Sequence, residues 1–194
     1  REVLLTPSCT SALEMTALLL NIKEGDEIIM PSYTFVSTAN AFVIRGGKPV
    51  FADIEKGSGN INYENVESLI TNKTRAIVIV HYAGISCNIS EIINIARKYD
   101  LVVVEDAAQA INTKFKGNQI GSFGDLACFS FHQTKNIHCG EGGALVINNE
   151  NYIERAKIIR EKGTNKDSFL RRIVSEYSWQ DIGSSYITSE LNAA

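Results

Sequence analysis

The chain has 194 residues, enough for one sizeable hydrophobic core but cramped for two complete domains. Apolar residues make up 44% and charged residues 21%, ordinary for a globular protein, and a net charge of −3 gives no reason to expect a nucleic-acid or anionic-membrane partner. The longest apolar runs, Ala76 to Val80 and Leu101 to Val104, fall far short of a membrane span, and no basic-then-apolar leader opens the chain, so a cytoplasmic protein is expected.

In chain order, Glu2 to Leu5 reads as a strand and Ser11 to Leu20 as a helix. Short β-branched runs then alternate with helix-like segments: Glu27 to Met30, helix Ser37 to Arg45, Pro49 to Asp53, helix Tyr63 to Ile70, Arg75 to His81, helix Ile89 to Tyr99 and Leu101 to Glu105. Alternation on this scale implies crossover units and a mainly parallel sheet, and unbroken apolarity in Ala76-Ile77-Val78-Ile79-Val80 fits a strand covered on both faces. Ligand groups in such sheets gather at the carboxyl ends of strands, where Asp53, His81 and Glu105-Asp106 stand. From Lys114 the strands shorten and glycine turns appear, which predicts a second sheet edge or hairpin region and then a helix near Tyr152 to Lys162. Gly163 to Trp179 has no clear period and reads as a long loop. The start at Arg1 and the helix-like opening at Ser189 to Ala194 mark the sequence as a piece of a longer protein.

Cys9, Cys87, Cys128 and Cys139 show no CxxC pair or regular spacing, so reduced thiols are expected rather than a disulfide framework or a metal cage. His132, His138 and Cys139 lie close in sequence but lack the second ligand pair of zinc motifs, and no metal is assigned.

The chemistry centres on Lys135. It follows a buried-looking strand, Ala127 to Phe131, and has the turn Gly140-Glu141-Gly142-Gly143 behind it. A lysine amine in a tight site can attack carbonyls and form a Schiff base. Asp106 follows four apolar residues and Glu105, so one of these two carboxylates is carried inward at the strand's end, where it needs a cationic or hydrogen-bonding partner. A protonated pyridine nitrogen would serve, with Gln109 reaching a ring substituent from the same side. Alternatively, Asp106 only caps the segment that follows it. Thr6 to Glu14 reads as strand, turn and helix start, with Ser11 and Glu14 at capping-box spacing. Its amides and hydroxyls would suit a phosphate, or belong to an ordinary helix cap. Phe35 could stack on a planar cofactor or be core, and Ser130 could reach a phosphate or only local backbone. Together these residues make up a pyridoxal phosphate kit in one order along an α/β chain.

On these motifs the chain resembles the DegT/DnrJ/EryC1/StrS sugar aminotransferases. The likeness runs through Pro7 to Leu13, Pro31 to Thr38, Val80-His81-Tyr82-Ala83-Gly84, Val104 to Gln109, Phe129 to Asn136 and Gly140 to Gly143. Pro7-Ser8-Cys9-Thr10, Arg160 to Asn165 and Trp179 to Tyr186 are most similar to the branch that makes dTDP-4-amino-4,6-dideoxygalactose. The resemblance implies a three-layer α/β fold of the aspartate aminotransferase type, here a partial large domain over 1–194 without its N-terminal helix and small C-terminal domain. It further implies pyridoxal 5′-phosphate as cofactor, a nucleotide-linked 4-keto-6-deoxyhexose as substrate, glutamate as amino donor, a role in amino-sugar supply for cell-surface polysaccharide, and a homodimer when full length. Lys135 would then hold the cofactor covalently, Asp106 the ring nitrogen, Gln109 the ring oxygen and Phe35 the ring face, with Thr10, Ser11 and Ser130 on the phosphate. The family completes that phosphate site from a neighbouring subunit with an asparagine in Gly-x-Asn-Tyr-Arg. Here the stretch reads Gly183-Ser184-Ser185-Tyr186-Ile187, which leaves Ser185 for the role. Relatives that dehydrate sugars carry histidine at the lysine position, so Lys135 favours transamination.

Two other readings remain open. A nicotinamide-dependent oxidoreductase would share the alternation, but the first strand lacks a GxGxxG turn. A catalytically silent relative would serve as an interaction module.

Overall fold

The computed structural model describes residues 1–193, in three layers with a seven-stranded sheet between helices. The elements are β1 (Glu2–Thr6), α1 (Cys9–Leu19), β2 (Glu27–Pro31), α2 (Val36–Val43), β3 (Lys48–Ala52), α3 (Tyr63–Val66), β4 (Thr74–Val80), α4 (Ile89–Lys98) and β5 (Val102–Asp106). A small hairpin, β6 (Lys114–Phe115) and β7 (Asn118–Gln119), follows, then β8 (Leu126–Ser130), β9 (Gly143–Ile147), α5 (Ile153–Arg160), α6 (Lys166–Leu170) and α7 (Glu190–Ala193).

The sheet order is β1-β9-β8-β5-β4-β2-β3. The pairs from β3 through β8 are parallel, whereas β9 runs antiparallel to both β8 and β1. The mainly parallel α/β fold expected from the alternation is therefore present. The strand order reverses beside β2, where the chain leaves to β3 and returns to β4, and such a switch point opens a crevice at the carboxyl ends of the strands.

Period-two alternation divides the core. Ile28, Met30, Ala76, Val78 and Val104 pack with Leu13, Met15 and Leu18 of α1 and Phe42 of α2. Ile29, Ile77, Ile79 and Val103 pack on the other face with Ile89, Ile92 and Ala96 of α4. Burying each such side chain contributes roughly 1.5–3 kcal/mol, so both faces hold the strand ends in place. α1 consists largely of strong helix formers and is apolar nearly all round, as its burial requires. α4 instead shows one apolar stripe, Ile89-Ile92-Ala96, and stops where Asp100 turns left-handed at φ 52°.

Several sequence expectations need correction. The helix expected over Tyr63 to Ile70 is α only as far as Val66, and a 3₁₀ turn covers Glu67–Leu69. β9 is no separate sheet edge, because it joins the main sheet beside β8, and only the β6–β7 pair stands apart. The supposed loop Gly163 to Trp179 contains α6 and is tied across by a Thr164–Trp179 bridge. The helix expected from Ser189 exists as α7, while Ala194 lies outside the described residues. Among the described residues no helix is long and apolar enough to cross a membrane.

Candidate active site

A cavity of about 510 Å³ opens where β4 and β5 end, against the start of α1. Lys135 and Asp106 both line it. Had these two side chains pointed into separate regions, no single ring could bridge them.

The start of α1 forms one wall. Ser8 is extended and caps the helix: its Oγ accepts the Ser11 N–H at 3.0 Å and its carbonyl accepts the Ala12 N–H at 3.2 Å. The cap is thus Ser8 and not Ser11, and the Ser11–Glu14 capping box does not form. Glu14 instead accepts the Tyr186 hydroxyl at 3.3 Å. First-turn amides have no partner inside a helix. With those of Ser11 and Ala12 used, the amides of Cys9 and Thr10 remain for an anion, and the first turn carries no acidic residue to repel one. β9 comes so close that a Cβ on Gly143 would lie 2.3 Å from the Ser8 carbonyl carbon, which only glycine avoids. Thr10 Oγ1 meets Ser37 Oγ at 2.8 Å, joining α1 to α2 with hydroxyls that both line the cavity. Cys9, also in the wall, has its thiol pushed well up by burial and by the nearby Asp106 charge, with Lys135 acting the other way.

Asp106 ends β5 and is 5% exposed. Thr38 Oγ1 donates to its Oδ2 at 2.7 Å and the Ala108 N–H to its Oδ1 at 3.1 Å, so both partners are neutral. Burial raises its pKa, and the Thr38 and Ala108 bonds only partly oppose the rise. Gln109 lines the same wall, with its Oε1 held by the Ala83 N–H at 2.8 Å. Of the other polar groups expected at strand ends, Asp53 is exposed and does not line the cavity. His81 is fully buried and bonded to Glu105 at 3.1 Å.

Lys135 sits at the tip of a hairpin that continues β8 and β9 past the sheet. Phe131 N–H donates to Gly142 O and Gln133 N–H to Gly140 O, each at 2.8 Å, and a turn closes with Lys135 N–H to His132 O at 2.8 Å. The His132 Nδ1 accepts the Thr134 N–H at 3.2 Å, while its Nε2 lies 3.3 Å from Glu141 Oε1. Among the described residues no group of three or more His, Cys, Asp or Glu is placed to hold a metal ion. Ser130 is 7% exposed, lines the cavity, and its Oγ accepts the His132 N–H at 3.3 Å.

Phe35 is no core residue. It is 69% exposed at the N-terminus of α2, among the residues that line the cavity. Ser11 is not among the lining residues, since Ser8 takes the place expected of it. Ser185 also lies apart from the cavity, in an antiparallel bridge with Glu161. Sequence reading missed Thr38 altogether, together with the cavity roles of Ser37, Thr34 and Glu141. No local signal marks Thr38, because its partner Asp106 stands 68 positions away in the sequence.

The donor set fits pyridoxal phosphate. A helix N-terminus free of acids, flanked by the Ser8, Thr10, Ser37 and Ser130 hydroxyls, suits a phosphate dianion. A buried carboxylate with neutral partners suits a cationic ring nitrogen.

Residues 1–194 match the model of the DegT/DnrJ/EryC1/StrS aminotransferase family. An uncharacterized protein of Methanocaldococcus jannaschii is 49% identical over 172 residues, covering 89% of this chain and 44% of that protein. Helicobacter pylori PseC, an aminotransferase involved in the biosynthesis of pseudoaminic acid, superposes with a TM-score of 0.88 at 33% identity, covering all of this chain and 51% of PseC. Bacillus subtilis NtdA, solved with bound cofactor PMP, gives a TM-score of 0.88 at 31% identity over all of this chain and 42% of its own. The chain therefore spans about half the length of the relatives it matches.

Proposed function

This chain belongs to the DegT/DnrJ/EryC1/StrS aminotransferase family, and from that premise we propose that it is the cofactor-binding part of a pyridoxal-phosphate-dependent sugar aminotransferase. The observation that carries the reading is that Lys135 and Asp106 line one cavity beside the α1 N-terminus. The substrate we assign is a nucleotide-linked 4-keto-6-deoxyhexose, with glutamate as donor and dTDP-4-amino-4,6-dideoxygalactose as product, on the motif likeness of Pro7 to Thr10 and Trp179 to Tyr186. The complete protein would act as a cytoplasmic homodimer, in which Ser185 reaches the phosphate of the neighbouring subunit's cofactor.

When bound, the cofactor supplies a carbonyl that exchanges amines and a ring that draws electrons from the substrate carbon. The chain's own residues do the rest. The amides of Cys9 and Thr10, with the Thr10, Ser37 and Ser130 hydroxyls, hold the phosphate. Asp106 would keep the ring nitrogen protonated, Gln109 would contact the ring oxygen and Phe35 would cover one ring face. Lys135 Nζ would hold the cofactor's carbonyl carbon and, as a free amine in the same cavity, would serve as the base that takes the proton from the donor's α-carbon and as the acid that delivers it to that carbonyl carbon. Asp106 and Lys135 standing in one cavity is what permits both tasks on one ring.

Borohydride reduction of the full-length protein after addition of pyridoxal phosphate should leave a pyridoxyl group on Lys135. Mapping of that group to a different lysine overturns the assignment. An absorbance band on adding pyridoxal phosphate, with none on adding a nicotinamide nucleotide, separates this reading from an oxidoreductase. Turnover against a panel of keto-sugar nucleotides then tests the substrate.

A further inference from the structure

Thr38 has no counterpart among the groups assigned above, yet it is wholly buried and donates the shortest hydrogen bond that Asp106 receives, 2.7 Å to Oδ2. Its hydroxyl also meets that of Thr34 at 2.7 Å, and Thr34 lines the cavity. The three groups form a chain from the cavity wall to the carboxylate. We propose that Thr38 is a positioning residue that holds Asp106 ionised, and that the Thr34–Thr38 pair carries the ionisation state of Asp106 to the cavity surface.

The direction of the chain follows from valence. An ionised carboxylate can only accept, so Thr38 must give its single proton to Asp106. The Thr38 oxygen then accepts the Thr34 proton, and the Thr34 hydroxyl presents only lone pairs to the cavity. Protonation of Asp106 on Oδ2 would release Thr38 to donate to Thr34 and turn the Thr34 proton outward. The same residue that favours the charged carboxylate thus also reports it.

Geometry makes Thr38 well suited to this. It lies in the first turn of α2, while the other oxygen of Asp106 is fixed by the Ala108 N–H at 3.1 Å, so the carboxylate plane is set by contacts from two separate elements. Burial raises the Asp106 pKa, and the Thr38 bond comes first among the influences that oppose it. The other titratable groups acting on this carboxyl are Cys9 on α1, Cys128 on β8, His81 after β4 and Lys135 on the hairpin. Lys135 and His81 both favour the charged form, and only Thr38 donates to it through a side chain among the described residues.

The inference rests on the reading above only for the identity of the ring that meets Asp106. The test therefore begins with the cofactor-free, full-length protein, carrying ¹³C-carboxyl aspartate, with Asp106→Asn identifying the resonance. Thr38→Val removes the hydroxyl at constant shape, and Thr38→Ser restores it. The Asp106 titration midpoint should move up by about one pH unit in Thr38→Val, since a hydrogen bond to a charged group is lost, and return toward wild type in Thr38→Ser. Thr34→Val should move it in the same direction by less, and it carries the test if Thr38→Val does not fold. Pyridoxal phosphate affinity, read by absorbance, should fall about tenfold in Thr38→Val and hold in Thr38→Ser. Midpoints that coincide in wild type, Thr38→Val and Thr34→Val overturn the proposal, as does a serine variant that behaves like valine. A wild-type protein that binds no pyridoxal phosphate refutes the functional reading instead, and the titration still decides the role of Thr38.

Discussion

Replacing Glu105 with alanine should be among the most damaging single changes in this chain, although Glu105 faces away from the cavity. The carboxylate is fully buried and satisfies four donors. Oε1 accepts the Phe123 N–H at 2.9 Å and the Gly124 N–H at 2.7 Å, while Oε2 accepts the Gly121 N–H at 2.9 Å and faces His81 Nε2 at 3.1 Å. Each buried donor left without a partner costs about 1–3 kcal/mol, so four orphans cost on the order of 4 kcal/mol even at the low end. Whole domains are stable by only about 5–15 kcal/mol. Glu105→Gln keeps the volume and one acceptor. Its amide nitrogen would nevertheless confront Gly121 N–H or His81, and His81 cannot simply swap tautomer because its Nδ1 accepts the Cys87 N–H at 3.4 Å. A loss of about 2 kcal/mol is expected for that variant. Burial pushes the Glu105 pKa up, but the His81 bond and the Gly124 and Gly121 amides outweigh it, and the net direction is down. A depressed carboxyl stabilises the fold above its unfolded pKa, and that contribution is lost as pH falls through the folded value. The stability gap between wild type and Glu105→Gln should therefore narrow in acid. Urea unfolding of the full-length protein, followed by circular dichroism at neutral and acid pH, measures both effects. An alanine variant within about 1 kcal/mol of wild type would refute the reasoning, because four buried donors cannot be left unpaired so cheaply.

Gly143→Ala should both destabilise the protein and weaken cofactor binding, because its Cβ would meet Ser8 and Cys9 backbone at 2.3–2.5 Å and push back the α1 start; unfolding and cofactor titration read the two effects. Asp106→Asn should still bind pyridoxal phosphate through the phosphate wall yet lose turnover by about a hundredfold or more, and near-wild-type activity would remove Asp106 from the electron-drawing role. Phe35→Ala should leave stability unchanged, since the ring is 69% exposed, while weakening cofactor affinity by roughly threefold to tenfold if the ring stacks there.

Much of this site could be read without coordinates because its residues stand where secondary structure changes. Asp106 ends a run of valines and Lys135 follows a strand that becomes polar, and a hydrophobic run that stops abruptly marks a strand's carboxyl end. The helix cap misled because Ser8 and Ser11 are the same residue type three positions apart. Both suit an N-cap, and only the chain's entry angle against Gly143 decides between them. Thr38 was illegible for a different reason: its partner is 68 positions away, and nothing local distinguishes a helical threonine facing a carboxylate from one facing solvent. His81 looked like a ligand group at a strand end, yet it lies on the opposite face of the sheet from the cavity, paired to Glu105. The side a residue takes is set by strand parity, which single motifs do not show.

That parity explains why two adjacent carboxylates of one strand have opposite characters. Side chains alternate across β5, so Val104 and Asp106 face α1 and α2 while Val103 and Glu105 face α4. Both carboxylates are nearly or wholly buried, so burial alone would raise both pKa values. The directions diverge because of the donors each finds. Glu105 has four within the protein and its pKa is lowered; Asp106 has two, and its pKa stays raised. A carboxylate with spare acceptor capacity at the wall of a cavity suits a cationic donor. A one-residue slip of β5 against β4 would exchange the two, turning the satisfied carboxylate toward the cavity and the deficient one into the core. The Val80–Asp106 and Ile79–Glu105 pairings that prevent the slip therefore protect the chemistry as much as the sheet.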